Sequence, residues 1–315
     1  MELFIKYPHE VQLELLNKLI SKAKHTEIGT KYEFASITDY ETFASRVPVQ
    51  KYEDYEADIE RSRRGEVNIF WPTPIKWFAK SSGTTNAKSK FIPVSEESLV
   101  KCHYDAGKDM LCMYLHNNPD SVLFSGKSLR LGGSKELYSQ NGTQYGDLSA
   151  ILIDNMPFWA EYSSTPSNEV SLMSNWEVKM PAIVNQTIRE KVTSLAGVPS
   201  WMLVLMNHVL ETSGKDNLFE VWPDLEVYFH GGVSFAPYEE QYQKILPQDS
   251  FRYYEIYNAS EGFFAIQDTN ENKELLLMLD YGIFYEFIPM KTYGTPEQRT
   301  IPLSEVQLGE NYAIV

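Results

Sequence analysis

The stretch Ser81-Ser82-Gly83-Thr84-Thr85-Asn86-Ala87-Lys88-Ser89-Lys90 sets the terms for the rest of this sequence. Hydroxyls and two lysines crowd around one glycine. The run Ile75–Lys80 before it is rich in aromatic and branched residues and reads as a strand. After it, Phe91-Ile92-Pro93-Val94 leads to Ser95, a good helix N-cap, with Glu96 and Glu97 in the first turn. A hydroxyl-rich loop held between ordered elements can aim N–H and O–H groups at phosphate oxygens, and lysine adds a mobile point charge. A Walker loop is excluded, because it needs a second glycine before its lysine. A dinucleotide fingerprint, with three spaced glycines, is excluded as well. The plain alternative is a polar surface turn.

The remaining pattern predicts an α/β protein with mixed β-sheets flanked by helices and antiparallel hairpins toward the C-terminus. Residues 9–24 carry Val11, Leu15, Leu19 and Ala23 at helical spacing, and Thr38-Asp39-Tyr40-Glu41 resembles a capping box for a helix to about Arg46. Residues 51–64 read as a charged helix ending at Gly65, and residues 96–116 as a long helix. Short strands are expected at Ser121–Ser125 and Ser128–Leu131, an irregular loop over 134–148, and helix over 169–191 broken near Pro181. Val192–Gly197 reads as a buried strand, followed by a helix from Pro199 to the stop at Gly214. Leu225–Phe229, Phe251–Tyr257, Phe263–Gln267, Leu275–Asp280 and Ile283–Met290 read as strands, with a helix over Pro237–Leu246. Polar turns at 81–90, 230–233 and 257–262 each follow a strand, the place where open α/β sheets collect ligands.

Bulk chemistry narrows the partners. A net charge of −15 over 315 residues disfavours nucleic acid and anionic membranes, both of which need a basic face. Apolar runs such as Trp201–Met206 are too short to span a bilayer. No secretory leader is evident, and two cysteines suit a reducing, cytoplasmic setting. The Cys102/His103 and Cys112/His116 pairs would lie roughly 15 Å apart along a helix, too far to share one metal.

At Ser81–Lys90 and Phe91–Val94 the chain resembles the first ATP motif of the GH3 acyl-acid amido synthetases, part of the adenylate-forming superfamily of acyl-CoA ligases and luciferases. Tyr257-Asn258-Ala259-Ser260-Glu261 resembles that family's second motif, and Gly231-Gly232-Val233 the superfamily's glycine pair, in the same order along the chain. The similarity extends to Val47–Glu53 and Gly197–Ser200 and covers essentially the whole sequence.

The resemblance implies ATP and Mg²⁺ as cofactors and a small-molecule carboxylic acid and an amine, usually an amino acid, as partners. A carboxylate attacks the α-phosphate of ATP, pyrophosphate leaves, and the amine takes the acyl group from the adenylate. Ser81, Ser82, Gly83, Thr84 and Thr85 would bind phosphates, and Lys90 would offset developing charge. Gly231, Gly232, Val233 and Tyr257 would pack against adenine, with Asn258, Ala259 and Ser260 completing the turn. Glu261 would hold Mg²⁺, since a carboxylate among phosphates needs a cation between them. Glu261, Thr84 and Lys90 are the expected catalytic residues. Val198, Trp201 and Phe263 are candidates for the acyl pocket. The family's third motif, Tyr-x-x-Gly-Asp, does not occur. The expectation is thus an N-terminal adenylation domain over 1–315, incomplete at its C-terminal end, without the lid domain and inactive alone. An acyl-CoA ligase and a non-catalytic nucleotide- or acid-binding fragment are the alternatives.

Overall fold

Strands at 127–130, 192–197, 227–231 and 252–259 lie side by side in a seven-stranded sheet. A computed structural model describes residues 2–81, 89–133, 138–140, 142–271 and 274–315. The spatial order is Leu275–Leu277, Gly262–Gln267, Arg252–Ala259, Val227–Gly231, Val192–Gly197, Lys127–Arg130, Ser164–Thr165. The last five run parallel, and the first two extend the sheet as antiparallel hairpins. Parallel strands need both faces covered. Trp176–Thr187, Pro199–Ser213 and Glu239–Ile245 cover one face, packing Met202, Met206 and Tyr242 onto Leu195 and Tyr228. The helix Asp105–Asn117 covers the other, with Tyr114 edge-on to Phe229 and Tyr254.

Two smaller sheets flank this body. Lys90–Val94, Trp77–Ser81, Thr143–Gly146 and Tyr138–Gln140 form one, in that order. Ile301–Pro302, Glu286–Pro289 and Tyr312–Ile314 form the other, wholly antiparallel. Pro8–Ala23 docks against the C-terminal region through the buried Gln12. Its amide donates to Leu279 O at 2.7 Å, and its oxygen accepts from Tyr285 N at 2.8 Å.

Several expected elements differ. Leu123–Ser125 is a 3₁₀ turn, because the Ser121 hydroxyl and the Val122 N–H are held by the Glu226 carboxylate instead of a ladder. The expected loop at 134–148 contains the strands Tyr138–Gln140 and Thr143–Gly146, the latter paired in parallel with Trp77–Ala79. The helix Trp176–Thr187 runs through Pro181, and the interruption falls before its Asn175 cap. Asp39, not Thr38, caps Tyr40–Arg46, accepting from Thr42 N at 2.7 Å. The expected strand at 283–290 shortens to Glu286–Pro289 and leaves the main sheet.

Candidate functional site

A cavity of about 740 Å³ lies on the face of the main sheet opposite the Pro199–Ser213 helix. Its floor follows from the two-residue period of strands. Ser128 and Arg130, Ser194 and Ala196, Phe229 and Gly231, and Ile256 and Asn258 are i, i+2 pairs on four adjacent parallel strands, and all eight line it. The register puts Arg130 beside Ala196, Ala196 beside Phe229, and Gly231 beside Ile256. Small residues at 128, 194, 196 and 231 leave the space that Leu or Val would fill.

The roof is a helical face, His103, Tyr104, Gly107, Met110 and Leu111. The helix enters through a wider turn, Ser98–Tyr104, where Asp105 N–H reaches back five residues to Val100 O. Such π-turns recur at functional sites because they re-aim side chains. His103 is buried with both ring nitrogens unpartnered, and burial holds its pKa down to about 4, so the imidazole is neutral. Trp159, Trp176 and Trp201 form apolar walls. Burial lowers the Arg130 guanidinium to about 10. Lys179, fully buried behind the wall, donates to Gly132 O at 2.9 Å and Gly133 O at 3.0 Å, and burial lowers it to about 8.

The glycine pair sits at one end of this floor. A Cβ on Gly231 would stand 2.3 Å from Ile256 O, and 3.2 Å from Asn258 Oδ1, so only glycine fits. Gly232 has φ +82°, the left-handed region. Val233 is exposed beyond it. The strand Arg252–Ala259 turns back through Ser260 and Glu261 into Gly262, with Ala259 opposite Gly262. Tyr257 is half-exposed, its ring 4.9 Å from Phe264, and Glu261 stands exposed at the tip. A hairpin tip bearing one free carboxylate suits Mg²⁺, which keeps waters and phosphate oxygens and takes few protein ligands. Among the described residues no cluster of three His, Cys, Asp or Glu could hold a metal.

Of the expected acyl residues, Val198 and Trp201 line the cavity. Phe263 does not: it is 5% exposed and packs with Cys102, Ile266 and Tyr281 in a separate core. Ser81 pairs with Lys90 across the hairpin whose loop carries the hydroxyl stretch. Ser82, Gly83, Thr84 and Thr85 lie outside the described residues. Lys90 Nζ is 3.6 Å from Glu53 Oε1 and lies over the Tyr52 ring; neither Ser81 nor Lys90 lines the cavity. Arg130, Trp159 and Trp176 were not singled out from sequence, and His103 was weighed only as half of a metal pair. The alternation of Ser128 and Arg130 with Leu129 and Leu131 is a signal that points to Arg130: a charge on one face of a strand whose other face is apolar. No helix is long and apolar enough to cross a membrane among the described residues.

Comparison with known proteins follows the same lines. The profile of the GH3 family N-terminal domain matches residues 1–251, and that of the GH3 family central domain residues 276–315. Indole-3-acetic acid-amido synthetase GH3.4 of Arabidopsis thaliana is 22% identical over 380 aligned positions, covering 100% of this chain and 63% of the relative. The chain thus spans under two thirds of that relative's length. AtGH3.15 acyl acid amido synthetase in complex with 2,4-DB superposes with a TM-score of 0.80 at 17% identity, over 97% of this chain and 62% of that one. A 2-hydroxyisobutyryl-CoA ligase in complex with 2-HIB-AMP and CoA gives 0.57 at 14% identity, over 90% and 56%. The latter two likenesses are of fold, that of adenylate-forming enzymes.

Proposed function

Because this chain belongs to the GH3 family, we propose that residues 1–315 form an adenylation domain that activates a carboxylic acid with ATP for transfer to an amine, an amino acid in the first instance. The observation that carries the reading is the continuity of the cavity with the glycine pair. One sheet face runs from a pocket walled by tryptophans to Gly231 and Asn258. An acid in that pocket and a nucleotide over Gly231–Val233 would meet at the end of the same floor.

The chemistry asks for positioning and charge neutralisation rather than a general base, since a carboxylate is already a nucleophile. Gly231 and Gly232 leave room for adenine, and Tyr257 offers its exposed ring to it. Ser81, Ser82, Thr84 and Thr85 would bind phosphates, with Lys90 released from Glu53 to offset their charge. Mg²⁺ held by Glu261 would neutralise phosphate oxygens. Val198, Trp201 and the helical roof would exclude water from the acyl group. The cytoplasm, small-molecule partners and the absence of nucleic acid or membrane contacts complete the reading.

An acyl-sulfamoyladenosine, a stable mimic of the acyl-adenylate, tests this reading. A contiguous site binds it at least a hundredfold more tightly than AMP or the free acid, and Gly232→Val removes the gain. Binding no tighter than the better half would refute a shared site.

A further inference from the structure

Arg130 is the one strong charge on the cavity floor, and among the described residues no carboxylate answers it. Among the described residues its donors meet one acceptor, the Met156 sulfur, at 2.8 Å, and no ion pair involves it. A thioether is a weak, uncharged acceptor. Tyr104 is its electrostatic neighbour, but that hydroxyl donates to Leu152 O at 2.9 Å. Asp147 also lines the cavity and is coupled to Lys179, not to Arg130. Arg130 is partly buried, charges withdrawn from water are paired as a rule, and the planar guanidinium fork matches a carboxylate or phosphate bidentately. Lys179 adds a second cation behind the same wall, beside Gly132 and Gly133. Asp147 answers Lys179, so it is the Arg130 guanidinium that lacks an anion among the described residues, in an otherwise acidic chain.

Its position makes that anion a second one. Arg130 and Gly231 are two strands apart on one floor, and Asn258 lies a further strand away. At the usual spacing of adjacent strands, Arg130 is about 10 Å sideways from Gly231 and about 14 Å from Asn258. The reacting carboxyl belongs at the Gly231 and Asn258 end. We propose that the acid taken by this cavity carries a second anionic group at its far end, gripped by the Arg130 guanidinium between tryptophan walls. This rests on the adenylation reading for which end reacts, but the grip itself is a binding property that needs no ATP.

The test compares octanoic with octanedioic acid, matched in chain length and different only in the far carboxylate. Binding to the 315-residue chain is read by calorimetry and by tryptophan fluorescence from the cavity walls. Octanedioate is expected to bind at least tenfold more tightly. Arg130→Leu should reverse the order, because the far carboxylate would then be desolvated without a partner, while Arg130→Lys keeps part of the preference. Circular dichroism and thermal unfolding check that both variants fold, and the wild-type pair alone suffices if they do not. Equal binding of the two acids, or equal weakening of both by Arg130→Leu, would place the reacting carboxyl on Arg130 and overturn the proposal while leaving adenylation standing. If neither acid bound, the pocket assignment itself would fall and the inference with it.

Discussion

Three glycines should respond to the same methyl group in three ways. At Gly231 the added Cβ meets Ile256 O at 2.3 Å and Ile256 Cγ1 at 2.8 Å. A carbon rests no closer than about 3.3 Å to a carbonyl oxygen, so the obstacle must retreat by about 1 Å. That obstacle is backbone, fixed by the parallel pairing of Val227–Gly231 with Arg252–Ala259, and it cannot swing aside as a side chain would. Overpacking of this kind costs about 1–3 kcal/mol, and a backbone clash belongs at the upper end. At Gly214 nothing lies within 4 Å, but φ is +65°, so Ala costs only the left-handed strain of about 1 kcal/mol. Gly107, inside the helix Asp105–Asn117 with nothing within 4 Å, should gain up to about 1 kcal/mol as Ala. Each kcal/mol moves the melting temperature of a chain this size by about 2 °C. Calorimetric melting should therefore rank Gly107→Ala above wild type, then Gly214→Ala, then Gly231→Ala, about 6 °C below. A neutral Gly231→Ala would refute the close approach on which the nucleotide end depends.

Two further outcomes follow from buried groups. His103 and His230 are buried, and burial lowers each from 6.5 to about 4. The unfolded chain binds more protons below 6.5, so their contribution is complete above that pH and is lost as pH falls toward 4; at pH 5 the loss is about 2 kcal/mol apiece. Urea titrations between pH 7.5 and 5 should show it, with His103→Leu removing about half, and an unchanged slope in that variant would contradict the assignment. Lys179→Met should destabilise by about 2 kcal/mol, because Gly132 O and Gly133 O lose their donor. Equal stability of that variant would mean the ammonium's burial costs as much as its bonds return.

What the sequence conveyed depended on how much of the signal was local. Val192–Gly197 and the helix from Pro199 to Gly214 were legible because an apolar run, an N-terminal proline and a C-terminal glycine are contiguous. The strands at 138–140 and 143–146 were not, because their polar composition resembles a loop and only pairing with Trp77–Ala79 makes Thr143–Gly146 a strand. Phe263 was misplaced for a related reason. The register shifts between Phe263 and Ala265, and such a bulge resets which face a side chain takes. Gly231 and Tyr257–Glu261 were singled out by their order along the chain. The cavity was not, since its floor draws two residues from each of four strands separated by up to 130 positions, a property of the sheet and not of any segment.

A nucleotide site at the Gly231 and Glu261 end of the cavity underlies the proposed adenylation, and calorimetric titration of the chain with ATP is its test. Binding should require Mg²⁺ and fall at least tenfold in Glu261→Gln and in Thr84→Val, with folding unchanged. Binding indifferent to Mg²⁺ and to both substitutions, or no binding by the folded chain, would contradict it.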